Sequence, residues 1–522
     1  MVVVTASEMA RLDGETIEGV GIPGIVLMEN AARGAAAFYE QVVPDLLRKR
    51  IVVVAGSGNN GGDGFVLARL FHTRGAHVRV ACLCPPDRLR GDALVNYGIM
   101  EKLGVPVVAR DPDGSPESLL QCIGTGEAII DAVLGTGLNS EVRGVYARVV
   151  EEINRLPVPV LAVDIPSGLN ASTGKPMGCA VRATATATFG LPKIGQLVPP
   201  GEEYTGKLKV VDIGIPPSVV EQSGIRRWWM DEALVSRWVE PRPAAAHKGV
   251  AGHLAVLAGS RGKTGAAALV CEGGMRAGAG LVSLLIPSSL NPVMEVKLTE
   301  AMTVPVEETP QQTPSLRALD DILQFLEGKQ ALAMGPGIAT HEETKDLVRQ
   351  LVRRSPCPMV LDADALNALA DRPETLLETS RPLVLTPHPG EMSRLVKTSS
   401  GDIQGRRLEI AESFSRRYGV VLVLKGHRTV VAAPDGSVAI NSTGNPAMAS
   451  GGMGDILTGL IAAWMAQGAT PFQGACLGVY LHGAAADAAC KGMGTRGLVA
   501  SDLLGEIPGI VARLESIGGG SP

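Results

Sequence analysis

The 522-residue chain is expected to fold as two α/β domains, each a mostly parallel sheet flanked by helices. Three observations lead there. Apolar runs of strand length alternate with amphipathic segments from residue 51 onward, as in a parallel sheet covered on both faces. The alternation stops between residues 213 and 242, where Pro216-Pro217, Arg226-Arg227-Trp228-Trp229 and Pro241-Arg242-Pro243 intervene, and then it resumes. Glycine is in excess and gathers at strand ends, where α/β proteins bind ligands: 64 of 522 residues, about 12% against roughly 7% in average chains. The domains are therefore placed at 1–220 and 241–522, with 221–240 as a linker.

Helical spacing of apolar residues predicts helices over 7–18 and 22–39, with Pro23 in a first turn that tolerates it. Strands follow at 51–55, 77–83, 105–108, 128–132, 158–163, 183–189 and 208–211. Beyond the break they recur at 253–258, 280–286, 331–334, 359–362, 383–386, 420–425 and 429–433. No short-period repeat is visible, which excludes a solenoid.

A hydrophobic share of 45% against 19% charged residues supplies real cores and argues against extended disorder. The net charge of −5 argues against a general nucleic-acid binder and favours small-molecule partners. Eight cysteines, Cys82, Cys84, Cys122, Cys179, Cys271, Cys357, Cys476 and Cys490, show no metal-ligand spacing and read as reduced thiols. The first residues carry no basic leader before an apolar stretch, and no segment reaches the length of a membrane span. A cytoplasmic enzyme working away from membranes is the simplest class.

The valine-rich strand 51–55 runs into Gly56-Ser57-Gly58-Asn59-Asn60-Gly61-Gly62-Asp63-Gly64, read as a glycine loop ahead of a helix. Glycines let the main chain approach a ligand, and unpaired amides at a helix start favour an anion. Gly56, Gly58 and Gly61 also satisfy the dinucleotide fingerprint, but the acid expected about 20 residues on is absent from 79–84. An ordinary dehydrogenase is disfavoured on that ground. Two further strand ends carry acids, Asp131 before Gly135-Thr136-Gly137, and Asp164 before Ile165-Pro166-Ser167-Gly168. Parallel strands bring all three loops to one rim.

These loops, with Leu27-Met28-Glu29-Asn30-Ala31, resemble the NAD(P)H-hydrate epimerases over roughly residues 1 to 220. The resemblance implies a Rossmann-like domain that interconverts the R and S forms of a hydrated nicotinamide cofactor. It implies that Asn59, Asn60, Gly61, Gly62, Asp63, the loop Gly135, Thr136, Gly137, Leu138, Asn139, Ser140 and Glu141, and Asp164 hold the substrate. It also implies a potassium ion at Asn60, Asp131 and Ser167, a donor set of oxygens that suits a hard cation. A carboxylate near the substrate hydroxyl can shuttle its proton. Asp164 is the catalytic candidate, with fixing of the hydroxyl or ribose as the alternative.

In the second half, Gly451-Gly452-Met453-Gly454-Asp455 leads into an apolar helix. Successive amides there can cradle a transferring phosphoryl group, leaving Asp455 to take a proton from the attacking hydroxyl. The stretch Gly262-Lys263-Thr264 is not a phosphate-binding P-loop, because Leu257 stands where that pattern needs glycine. With the loops at 335–337, 361–367, 386–391 and 425–429, the segment from about 240 to 515 resembles nucleotide-dependent NAD(P)H-hydrate dehydratases of ribokinase-like fold. The resemblance implies that Gly337, His388 and Asp455 contact the hydrate, and that Lys425, Gly426, His427, Arg428, Thr429 and Gly454 hold ADP or ATP with Mg2+. Asp362 and Glu391 are further acids in these loops that could serve the site or cap helices.

The expected function is thus bifunctional: epimerisation by the first domain with K+ bound, and nucleotide-driven dehydration of the S form by the second. A small-molecule kinase with an N-terminal regulatory binding domain is the alternative, and a non-catalytic cofactor sensor a second. Family habit and exposed helix faces suggest a homo-oligomer.

Overall fold

The computed structural model describes residues 1–111, 115–492 and 494–518. The chain divides into two compact units, Val2–Ile225, and Arg226 to the end of the chain together with Met1. In the first unit seven strands form one parallel sheet: β1 (Arg50–Ala55), β2 (His77–Cys82), β3 (Val107–Ala109), β4 (Ala128–Ala132), β5 (Val160–Val163), β6 (Ala185–Phe189) and β7 (Lys207–Val211). Their order is β3-β2-β1-β4-β5-β6-β7. Strand β1 shows why both faces must be covered. Ile51, Val53 and Ala55 enter one core and Val52 and Val54 the other, so the two-residue period of the strand feeds cores on opposite faces. The order reverses between β1 and β4, and there the loops leave in opposite directions and open a crevice.

The second unit holds a ten-stranded sheet. Its strands are β8 (Arg227–Met230), β9 (His253–Leu257), β10 (Leu281–Pro287), β11 (Met302–Val306), β12 (Ala331–Met334), β13 (Met359–Leu361), β14 (Leu383–Leu385), β15 (Val421–Leu424), β16 (Val430–Ala432) and β17 (Val438–Asn441). The order is β11-β10-β9-β12-β13-β14-β15-β16-β17-β8, parallel except where β16 runs against β15 and β17. Helix Met453–Ala466 is apolar all round, and every residue from Ile456 to Ala466 is buried. Its close approach to helix Thr264–Arg276 needs a glycine, since a Cβ on Gly459 would lie 2.2 Å from the Val270 carbonyl oxygen.

All fourteen strands expected from the sequence are present, with ends shifted by a few residues. Three more were not expected. Strand β8 lies inside the stretch taken as linker 221–240: Arg227–Met230 pairs with β17, whose main-chain groups would otherwise form an open edge. Strand β11 is an edge strand interrupted by Pro305, which hides it from a propensity reading. Strand β17 follows the turn Pro434-Asp435-Gly436, a hairpin signal between two apolar runs. The second expected helix runs over Gly24–Val42, with Pro23 just ahead of it as the cap. Residues 519–522, the end of the expected domain 241–522, lie outside the described residues.

Candidate active sites

A cleft of about 610 Å³ opens at the reversal point of the first sheet. Its wall includes Asn59, Asn60 and Asp63, the run Gly135 to Ser140, and Asp164. The glycine-rich segment is not a loop, because helix Asn59–Thr73 already begins at Asn59 behind an extended Gly58. Asn59 to Asp63 therefore open the helix; the Gly62 amide bonds the Gly58 carbonyl (3.1 Å), and the amides of Asn59, Asn60 and Gly61 have no carbonyl ahead of them in the helix. Gly61 and Gly62 do not line the cleft. They permit packing instead: a Cβ on Gly61 would lie 2.1 Å from the Gly56 carbonyl oxygen, and one on Gly62 would lie 2.8 Å from Met28 Cε. Glu141 lies outside the cleft wall, in an exposed ion pair with Arg143.

Asp164 is held on every side. Its φ of +62° puts a non-glycine residue in the left-handed region, a conformation that survives only where surroundings enforce it. The enforcing contacts are its amide on the Ala187 carbonyl (2.8 Å) and its own carbonyl accepting from Gln196 Nε2 (2.6 Å). Oδ1 accepts from Lys193 Nζ (2.6 Å), the Phe189 amide (3.1 Å) and Thr188 Oγ1 (3.2 Å). Lys193 is 1% exposed and also donates to Thr188 Oγ1 and to the Phe189 carbonyl. Two more acids share this wall. Burial, then the charges of Asp164 and Asp13, push Asp63 well above the carboxylate range, with Lys193 opposing. Burial likewise raises Asp13 to about 6, with Lys193 lowering it and Asp164 raising it.

Asp131 and Ser167 are fully buried and lie outside the cleft wall. Ser167 donates its hydroxyl to Asp131 Oδ1 (2.5 Å) and its amide to Oδ2 (2.8 Å), so one strand-end loop ties to another. Burial raises Asp131 to about 6 against these hydrogen bonds. Asn60 is 8% exposed, yet both of its amide atoms are buried without a hydrogen-bond partner. An orphaned amide of this kind costs free energy unless something else satisfies it.

The second unit has its own cavity, about 660 Å³, at the ends of β13 to β17. Its lining brings together His388, Lys425, Gly426, His427, Arg428, Thr429, Gly454 and Asp455. Gly337 is not among the lining residues and packs against Lys263, 3.0 Å from where its Cβ would stand. Lys425 Nζ donates to Asp362 Oδ1 (2.7 Å), and Thr458 Oγ1 donates to Oδ2 (2.9 Å). Burial works against the Lys425 charge, but Asp362, Glu391 and Asp455 hold it above the ordinary lysine range. Asp455, in the first turn of helix Met453–Ala466, is raised to about 6 by burial and by Asp362 and Asp364, with Lys425 opposing. His388 Nδ1 accepts from the Gly390 and Glu391 amides, so this side chain caps helix Pro389–Val396 while lining the cavity. Glu391 returns the bond to the His388 amide (2.8 Å), which makes it a capping residue.

Both halves match known families. A model described as YjeF-related protein N-terminus matches residues 24–195, and one described as NAD(P)H-hydrate dehydratase matches 254–509. A bifunctional NAD(P)H-hydrate repair enzyme of Moorella thermoacetica is 43% identical, with 99% of this chain aligned to 97% of that protein. The chain belongs to the bifunctional NAD(P)H-hydrate repair enzyme family. The member from Escherichia coli K12 is 35% identical, with 97% of this chain aligned to 93% of that one. An ADP/ATP-dependent NAD(P)H-hydrate dehydratase from Bacillus subtilis, co-crystallised with ATP/Mg2+, is 33% identical over 55% of this chain and 98% of its own, at a TM-score of 0.48.

Three residues of this family member escaped the sequence reading. Lys193 follows β6 in Phe189-Gly190-Leu191-Pro192-Lys193, a strand-end loop like those that singled out Asp131 and Asp164, so the same rule would have found it. Asp13 sits in an ordinary amphipathic helix, Ala6–Gly14, with no local signal. His482 lies mid-helix in the apolar segment Pro471–Ala489, where a lone histidine reads as core. It lines the second cavity with Nε2 buried and unpartnered; burial and then the charge of Lys425 lower it to about 4.

Among the described residues no cluster of three or more His, Cys, Asp or Glu side chains is placed to hold a metal ion. No helix among them is long and apolar enough to cross a membrane.

Proposed function

We propose that the chain repairs hydrated nicotinamide cofactors in two steps. The first unit interconverts R and S NAD(P)H-hydrate, and the second converts the S form to NAD(P)H at the expense of ADP or ATP. The observation that carries this reading is that each unit builds its own rim cavity of similar size, with acids held near neutrality, on a chain related to these repair enzymes over nearly its whole length.

In the second unit the unpaired amides at the head of helix Met453–Ala466 cradle the transferring phosphoryl group, and Lys425 stands beside Gly454 to meet its charge. Asp455 accepts the proton of the hydrate hydroxyl as the phosphate ester forms. Phosphate then leaves far more readily than hydroxide would. Asp362 accepts from Lys425 and Thr458, and magnesium, when bound, would neutralise charge on the nucleotide phosphates. In the first unit Asp164 Oδ2 is the carboxylate oxygen left for the substrate, since Oδ1 already takes three donors. The same reading includes a cytoplasmic homo-oligomer that acts on small molecules without nucleic acid.

The test is to offer the full chain a mixture of hydrate epimers with ADP or ATP. Complete conversion to reduced nicotinamide, with phosphate released, supports both steps. Consumption of only half the mixture removes the epimerase, and a stable phosphorylated product points to a small-molecule kinase.

Potassium fits the first unit. The orphaned Asn60 carbonyl, the Asp131 carboxylate and the Ser167 hydroxyl offer hard oxygen donors from three adjoining segments. The ion when bound would brace the strand-end loops that shape the cleft. Potassium at constant ionic strength is therefore expected to raise the melting temperature of the full chain, as any ligand of the folded state does. Asn60→Ala should abolish the increment. An equal rise with a bulky organic cation would remove the site.

A further inference from the structure

The first cleft gathers more acid than its one buried lysine balances. Asp13, Asp63 and Asp164 all feel Lys193, and Asp92 also lines the wall. Lys193 has no donor to spare, because its ammonium serves Asp164 Oδ1, Thr188 Oγ1 and the Phe189 carbonyl. Asp164 is equally occupied at Oδ1 and clamped through its own main chain. Asp13 is different. It comes from helix Ala6–Gly14, lines the cleft, and has one carboxylate oxygen, Oδ1, buried without a hydrogen-bond partner. A buried, unpartnered carboxylate oxygen is costly when charged and acceptable when it carries a proton. Burial chiefly, with the Asp164 charge, shifts Asp13 to about 6 in agreement with that geometry.

We infer that Asp13 is the acid that protonates the hydroxyl of the hydrated nicotinamide, while Asp164 and Lys193 form the fixed anchor against which the ring is held. The inference rests on the epimerase reading above. The proton passes from the Asp13 carboxyl to the hydroxyl oxygen. The carbon–oxygen bond breaks with both electrons on oxygen, and water departs. The lone pair on the ring nitrogen forms a carbon–nitrogen double bond, leaving a cationic ring and an Asp13 carboxylate. Water then adds to the other face of the same carbon, the double-bond pair returns to nitrogen, and the proton shed by the water goes back to Asp13. No oxidant, reductant or net proton is consumed. The Asp164 carboxylate and the Asp13 carboxylate left by the transfer, facing one ammonium, stabilise the cation where it forms.

The test compares full-length wild type, Asp13→Asn and Asp13→Glu for exchange between purified R and S hydrate, followed by chromatography at saturating hydrate. Asp13→Asn is expected to slow exchange by about 10²- to 10³-fold with KM little changed. Nucleotide-dependent dehydration of purified S hydrate should continue at the wild-type rate. Wild-type exchange should decline as pH rises past about 6, where Asp13 loses its proton, and the residual exchange of Asp13→Asn should show no such limb. Exchange within about threefold of wild type, or a loss confined to KM, overturns the assignment. Should Asp13→Asn melt early, Asp13→Glu decides, since a displaced limb supports the assignment and an unmoved one overturns it. Failure of the wild type itself to interconvert the epimers sinks the epimerase reading instead.

Discussion

Asp455→Asn is expected to slow nucleotide-driven dehydration by about 10³-fold, within the range for loss of a general base, and to leave epimer exchange untouched. The side chain keeps its shape and its place in the first turn of helix Met453–Ala466, so the amides that face the phosphoryl group remain where they are. What disappears is the proton acceptor. In the wild type, burial and the neighbouring Asp362 and Asp364 hold Asp455 at about 6, with Lys425 opposing. A base must be ionised to work, so wild-type dehydration should fall as pH drops through about 6 and stand on a plateau above it. The variant should lose that limb along with the rate. Steady-state rates from pH 5 to pH 8 on purified S hydrate make the comparison. Near-normal turnover in Asp455→Asn would assign the proton transfer elsewhere, with His388 the next group in the cavity.

Much of this molecule was legible because parallel sheets write themselves plainly. Buried strands such as 51–55 and 421–424 are runs of valine and leucine, and their ends are marked by glycine and by acids that must answer to a ligand or a cap. The strands that went unread failed for separate reasons: β11 is an edge strand broken by Pro305, β17 is the short second arm of a hairpin, and β8 depends on a partner far off in sequence. Arg227–Met230 becomes a strand only because β17, some 200 residues on, leaves it an edge to join. The site followed the same division. Asp131, Asp164, Lys425 and Asp455 lie at strand ends or helix heads and could be read one loop at a time. Asp13 and His482 sit on helix faces whose sequence says nothing of what they will meet. The glycines at 61 and 62 carry a packing role that the sequence leaves unsaid. They look like a ligand's approach path, and they are where the helix packs against the Gly56 main chain and Met28.

Lys193→Met is expected to cost the first unit about 3–5 kcal/mol near neutral pH, the cost of removing one partner from a buried ion pair, and to end epimer exchange. Methionine preserves most of the apolar stem, so packing loss is minor. The electrostatic consequence is larger. Asp164, 15% exposed at its side chain, loses its ammonium, and Thr188 Oγ1 and the Phe189 carbonyl lose their donor. Lys193 also restrains the proton affinity of Asp13 and Asp63, both already above the carboxylate range. Their folded values exceed their unfolded ones, so the stability they contribute is complete below about pH 4 and is lost as pH rises through about 6 for Asp13. Without the ammonium those values climb further, and the loss grows and moves upward in pH. The gap in melting temperature between Lys193→Met and wild type should therefore be wide at pH 8 and narrow at pH 5. A gap that is constant across that range would mean that Lys193 is held for its packing alone, and the cleft would then have no charge balance for a substrate cation to exploit.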